Sequence, residues 1–161
     1  MQIRAAILVA SDRISQGREV DKSGALAGEL LAEVADVVEI RVVPDEEDQI
    51  AAALLGWCAD GIDLVLTVGG TGLGPRDVTP EATRRVIERE TPGITAALLI
   101  RSLQSTPKAM LSRAVSGVRA RTLIVNLPGS TGAVRDLAPC LVAVLPHAQE
   151  VLSGKPEAYR K

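Results

Sequence analysis

From Ile62 to Ala82 the chain reads IDLVLTVGGTGLGPRDVTPEA, and this stretch decides the fold. Residues 62–68 form a short apolar, β-branched run, which predicts a buried strand. The strand runs straight into Gly69-Gly70-Thr71-Gly72. Thr79-Pro80-Glu81 then predicts a helix start, with Thr79 as N-cap and Pro80 at the first helical position. A buried strand, a glycine loop and a helix in this order are the core of a βαβ unit.

Upstream, residues 3–10 (IRAAILVA) predict a second buried strand, followed by a polar loop from Ser11 to Gly24. Leu26, Leu30, Leu31 and Val34 have helical spacing. Residues 37–43 (VVEIRVV) predict a strand that Pro44 and Asp45 stop, and Asp45 is placed to cap a helix bearing Ile50, Leu54 and Trp57. Downstream, 94–104 predicts a helix ended by Pro107, and 111–126 a hairpin turning near Arg119–Arg121. A last helical stretch carries Val134, Leu137, Leu141, Leu145 and Val151, bent or divided by Pro139 and Pro146. The fold expected is three-layer α/β/α, with a mostly parallel sheet and one antiparallel strand. A single domain over residues 1–161 fits the 161-residue length.

Composition excludes several functions. There is no Phe, and Trp57 and Tyr159 are the only aromatics, so a nucleic-acid stacking platform is not available. The net charge of −2 comes without a long single-sign run, which gives no footprint for nucleic acid or an anionic membrane. Cys58, Cys140 and His147 are too few for a zinc site, and the two thiols read as free and buried. The apolar run before Ser11 is too short for a signal or a membrane span, so a soluble, cytoplasmic protein is expected.

In parallel α/β folds ligands sit at the carboxyl ends of the strands. Four such ends carry polar loops here: Ser11–Arg13, Pro44–Asp45, Gly69–Thr79 and Asn126–Ser130. Glycines at 69, 70 and 72 permit positive φ and close approach of backbone N–H groups to an anion. The loop is neither a Walker loop nor a dinucleotide fingerprint. Arg76 and Asp77 offer a phosphate-binding cation and a carboxylate for Mg²⁺, or else a surface pair on a tight turn. Asp45 reads as a helix cap or as a second carboxylate facing Asp77, and Asp12 as a turn or salt-bridge residue. Ser130 is a natural N-cap for the last helix, whose free N–H groups form an anion site.

TVGGTGLGPRDVTPEA (67–82) and LIVNLPGSTGAV (123–134) resemble the two signature stretches of the MogA/MoaB family of molybdenum cofactor biosynthesis proteins. SDRISQG and DKSG (within 11–24), VVPDE (42–46) and AMLSRAVSGVR (109–119) are similar to it as well. The resemblance covers nearly the whole chain in order. It implies a molybdopterin adenylyltransferase, in which Mg²⁺ and ATP serve transfer of AMP to the terminal phosphate of molybdopterin, with release of pyrophosphate. It implies a homotrimer or a hexamer built of two trimers. Asp45 and Asp77 fall on the family's functional aspartates, which moves Asp45 from cap toward catalysis and makes both candidate Mg²⁺ ligands. Pterin and nucleotide phosphates are expected at Ser11, Asp12, Gly69, Gly70, Thr71, Gly72, Arg76, Asn126, Pro128, Gly129 and Ser130. The alternative is a non-catalytic molybdopterin-binding oligomer of the same family. With so few rings, either reading requires ligands held chiefly through their phosphates.

Overall fold

The computed structural model describes residues 2–154. Tyr159, placed in the terminal tail, lies outside the described residues. The chain runs β1 (Ile3–Ala10), α1 (Asp12–Ser15), α2 (Ser23–Leu31), β2 (Ala35–Val43), α3 (Glu47–Ala59) and β3 (Leu64–Val68). It continues with α4 (Thr79–Val86), β4 (Arg89–Glu90), α5 (Pro92–Ser105) and a 3-10 turn at Pro107–Leu111. It closes with β5 (Ser116–Arg119), β6 (Thr122–Leu127), α6 (Thr131–Val142) and α7 (Leu145–Leu152).

The strands form one sheet in the order β2-β1-β3-β6-β5-β4. β1 pairs in parallel with β2 and β3, and β3 in parallel with β6. β5 pairs antiparallel with both of its neighbours, so it is the one reversed strand the sequence leads one to expect. Alternation along β1 divides the interior. Ile3, Ala5, Ile7 and Val9 pack into a core with Leu31, Leu98, Val134, Leu137 and Leu141. Ala6, Leu8 and Ala10 pack into a second core with Ile50, Leu54, Trp57, Ala82 and Val86. Helices therefore cover both faces, and this is the expected three-layer α/β/α architecture. Trp57 is buried on the core side of α3, where its indole N–H donates to Glu39 Oε2 at 2.8 Å and Arg41 lies 4.7 Å over its ring.

Several local expectations are corrected. The first hairpin strand starts at Ser116 rather than at residue 111. Pro107 opens a 3-10 turn, and the Val115 N–H donates to the Asn126 side chain (3.0 Å), so residues 107–115 lie outside the strand. Two-residue β4 is too short to have a sequence signature. α2 starts three residues before the predicted apolar spacing because the Asp21 carboxylate accepts from the N–H groups of Gly24 (2.8 Å) and Ala25 (3.1 Å). Thr79 does not cap α4: it is the first helical residue, preceded by Val78, which makes no side-chain cap. The final helical stretch divides after Val142, with Pro139 accommodated inside α6 and Pro146 in the first turn of α7. Both cysteines are free and only half-buried, and burial pushes the Cys58 thiol pKa up.

Candidate functional site

The carboxyl ends of β1, β2, β3 and β6 lie side by side, so the four loops meet as expected. Backbone contacts fix their spacing. Gly69, at φ +97°, donates its N–H to Leu127 O at 3.0 Å. A β-carbon on Gly129 would stand 3.3 Å from Gly69 Cα, so the glycine loop and the loop after β6 touch backbone to backbone. Ser23 Oγ donates to Gly129 O (2.7 Å), which ties the start of α2 to the same point.

Asp45 is not a helix cap. Glu46 occupies that position, without a side-chain cap bond. Asp45 instead forms a reciprocal pair with Asp12: the Asp12 N–H donates to Asp45 Oδ2 (2.9 Å), and the Asp45 N–H to Asp12 Oδ1 (3.0 Å). Arg76 closes a fork on Asp12, with Nε at 3.0 Å from Oδ2 and Nη2 at 3.1 Å from Oδ1, and reaches Glu46 at 2.7 Å. The turn-pair reading of Arg76 with Asp77 is thus replaced by a tie across three strand ends. The Arg76 fork holds the Asp12 carboxyl below the usual carboxylate range. Burial, with the like charges of Asp12 and Asp77, pushes the Asp45 carboxyl above it. Two neighbouring aspartates are driven in opposite directions, a pattern associated with functional sites as well as structural networks.

Asp77 folds its own loop. Its Oδ2 accepts from the Gly74 N–H (2.9 Å), and β-carbons at Gly72 or Gly74 would stand 2.9 and 2.8 Å from that oxygen. Arg113 braces the loop from outside: Nε donates to Gly72 O (2.8 Å), Nη2 to Asp77 O (2.6 Å), and Nη1 pairs with Glu81. It lies in the AMLSRAVSGVR stretch, but only the long-range contacts reveal its part. Asn126 is buried, and its side chain is wholly engaged: it accepts from Val115 N–H and donates to Thr67 Oγ1 (2.8 Å) and Thr83 Oγ1 (2.9 Å). It is a brace beneath the site and presents no free group to a ligand.

Two clefts flank the glycine loop, each of about 460 Å³. One is lined by Thr71, Gly72, Lys108, Pro128 and Ser130. The other is lined by Ser11, Arg13, Lys22, Gly69, Gly129 and Ser130. They share Ser130, whose Oγ accepts from the Ala133 N–H (3.1 Å) and caps the twelve-residue α6. Each cleft is large enough for a small ligand. Arg13, Lys22 and Lys108 supply cations there, none of which sequence spacing singles out. Asp12, Asp45, Arg76 and Asp77 line neither cleft. They stand beside them, Asp12 next to Ser11 of the second and Asp77 against Gly72 of the first.

A family profile described as "Probable molybdopterin binding domain" matches residues 6–147. The chain belongs to this family. It is 37% identical over 156 residues to the molybdopterin adenylyltransferase of Helicobacter pylori strain J99, covering 94% of this chain and 89% of that protein. It is 40% identical to gephyrin of Dictyostelium discoideum over 94% of this chain, but spans 23% of that protein. Among the longer curated relatives it matches, the chain spans between 23% and 49% of their length. The crystal structure of the molybdopterin biosynthesis enzyme MoaB from Thermus thermophilus superposes with a TM-score of 0.89 at 44% identity, covering 96% of this chain and 99% of that one. The family places the chain in molybdenum cofactor biosynthesis. Among the described residues, no helix is long and apolar enough to cross a membrane.

Proposed function

We propose that the chain is a molybdopterin adenylyltransferase that uses Mg-ATP in the cytoplasm. The observation that carries this reading is the pair of equal clefts, divided by the glycine loop and joined at Ser130. A two-substrate transfer between phosphates needs this arrangement, because the chief task is to hold two polyanions end to end. An oxygen of the pterin's terminal phosphate attacks the α-phosphorus of ATP. The bond from that phosphorus to the oxygen bridging the β-phosphorus breaks, and its electron pair leaves on pyrophosphate. The nucleophile is already an anion, so no strong base is required.

What the chain contributes is position and charge. The Gly69 N–H is already given to Leu127, so the phosphate cradle is formed by the loop residues after it. The N-terminus of α6, at Ser130, adds N–H donors and the positive end of the helix dipole where the clefts join. Lys108 on one side, and Arg13 and Lys22 on the other, neutralise the incoming phosphates. Arg76, assigned to phosphate by the sequence, is bound to Asp12 and Glu46 and serves to fix the carboxylates. Asp45 and Asp77 orient the reacting phosphates.

Among the described residues, no group of three or more His, Cys, Asp or Glu could hold a metal. Asp45 nevertheless suits Mg²⁺, a hard cation usually bound through one or two carboxylates plus substrate phosphates. Its Oδ1 lies 3.4 Å from the point that a β-carbon on Gly70 would take, and the buried, unpartnered hydroxyl of Thr79 lies 2.3 Å from the same point. Mg²⁺, when bound there, would offset the charge on the phosphates.

The test is pyrophosphate release from ATP with and without molybdopterin. Release that depends on added molybdopterin is expected; binding of the pterin with no release would leave only the non-catalytic oligomer. The proposed trimer draws support from exposed Leu99, Ile100 and Leu103 on α5, an apolar surface suited to a second copy. Light scattering should report three times the 16.9 kDa chain mass or twice that value, and a monomer would remove the trimer.

A further inference from the structure

Thr79 is fully buried, and its Oγ1 has no hydrogen-bond partner among the described residues. Its backbone is satisfied: the N–H donates to Gly70 O (3.1 Å), and the carbonyl accepts from Thr83 Oγ1 (2.8 Å). Only the hydroxyl is left over. A buried hydroxyl without a partner costs stability and needs a reason. Its direction supplies one. A β-carbon on Gly70 would stand 2.3 Å from Thr79 Oγ1 but 3.3 Å from Thr79 Cβ, so the hydroxyl points toward Gly70. The same point is 3.4 Å from Asp45 Oδ1. Gly70 sits at φ +67°, a conformation glycine adopts without strain, and its missing side chain lets the Thr79 hydroxyl lie against it, with Asp45 Oδ1 near the same point.

A carboxylate oxygen and a hydroxyl that converge on one point are both hard oxygen donors. A phosphate oxygen would meet the charge of Asp45 there, whereas a cation or a water of its shell would be attracted to both groups. We propose that Thr79 is a metal-positioning residue, whose hydroxyl completes with the Asp45 carboxylate the seat of a hydrated divalent cation that arrives with the nucleotide phosphates. This rests on the nucleotide-binding reading above. Thr79 acts on the cation, directly or through one of its waters, and holds no reacting atom.

The experiment compares wild type, Thr79→Val and Thr79→Ser. Valine keeps the shape and removes the hydroxyl; serine keeps the hydroxyl. Mn²⁺ binding is read by water-proton relaxation, alone and with α,β-methylene-ATP, and the melting temperature is taken without ligand. With the analogue present, Thr79→Val should bind Mn²⁺ about tenfold more weakly than wild type, as loss of a positioning partner does elsewhere. Thr79→Ser should bind as wild type does, and unliganded Thr79→Val should melt no lower than wild type. Equal Mn²⁺ affinity in Thr79→Val and wild type overturns the proposal, as does a wild type that binds no Mn²⁺ in either arm. A lower melting temperature for Thr79→Val would give the hydroxyl a structural partner and overturn it as well. An equal loss of analogue affinity without metal would assign the hydroxyl to the nucleotide, with the same consequence. The adenylyltransferase reading fails separately: Mn²⁺ retention by wild type, without molybdopterin-dependent pyrophosphate release, would remove that reading and leave the role of Thr79 standing.

Discussion

Asp45→Asn should lower AMP transfer by about 10²–10³-fold while leaving the fold at least as stable as wild type. The two halves of this expectation have one cause. Burial, and the neighbouring charges of Asp12 and Asp77, raise the Asp45 pKa in the folded chain. An acid with a raised folded pKa favours the fold when protonated, and that advantage is lost as pH rises from its unfolded value through its folded one. At neutral pH the ionised carboxylate therefore works against the fold. Asparagine removes the charge and keeps an oxygen to accept the Asp12 N–H, now bonded at 2.9 Å. The gain is under about 1 kcal/mol, because the side chain is only half-buried and water screens it. It should shrink as pH falls and the wild-type carboxyl protonates. Asp12 has the opposite sign: Arg76 lowers its folded pKa, so its contribution is present at neutral pH and lost in acid. Denaturation midpoints of Asp45→Asn from pH 4 to pH 8, beside molybdopterin-dependent pyrophosphate release, test both halves. Undiminished turnover would end the assignment of Asp45 to the reaction. A lower midpoint at neutral pH would make it a structural carboxylate.

The reciprocal pair behind that prediction shows where reading the sequence stops. The strand ends that gather at the ligand side are legible because β1, β3 and β6 are short apolar runs, each ending at a glycine, proline or polar residue, whereas the strand order is not. The reversed strand is legible from the hairpin over 111–126, whose turn near Arg119–Arg121 leaves no room for a crossover helix, although its first strand starts only at Ser116. Spacing offers Asp45 and Asp77 as carboxylates but also as a cap and a turn pair, and only the resemblance weights them toward catalysis. Spacing favours a helix cap for Asp45, since a carboxylate two residues before a helix looks the same whether it serves its own helix or a loop 33 residues away. Thr79 misleads for the same reason: a Thr-Pro-Glu start satisfies the local rule, and only the packing around Gly70 shows the hydroxyl aimed elsewhere. Asn126 misleads in the other direction. Its place at a strand end suggests a ligand contact, yet its three partners come from β3, α4 and the segment before β5. Periodicity reports which face is buried; it does not report which polar group already has its partners.

Gly69→Ala should cost about 3 kcal/mol or more of folding stability, the sum of a strained backbone and a steric conflict. Gly69 sits at φ +97°, which a side chain rarely tolerates, and its β-carbon would stand 2.5 Å from Ala10 O. That oxygen belongs to the backbone at the end of β1, so no rotamer change relieves the conflict. Gly17 separates the two contributions. It has φ +71°, and a β-carbon there would meet nothing within 4 Å, so Gly17→Ala should register backbone strain alone, about 1–2 kcal/mol. The difference between the two substitutions, read from urea midpoints at constant slope, measures how firmly the glycine loop is pressed onto the end of β1. Equal losses would mean that the close approach is not held in solution. Because Gly69 also meets Gly129, whose loop carries Ser130 between the clefts, a large difference ties phosphate geometry to the central strands themselves. The loop could then neither widen nor slide without breaking the sheet beneath it. Such rigidity would explain how a site to which the described residues bring no aromatic ring could keep the two proposed polyanions aligned.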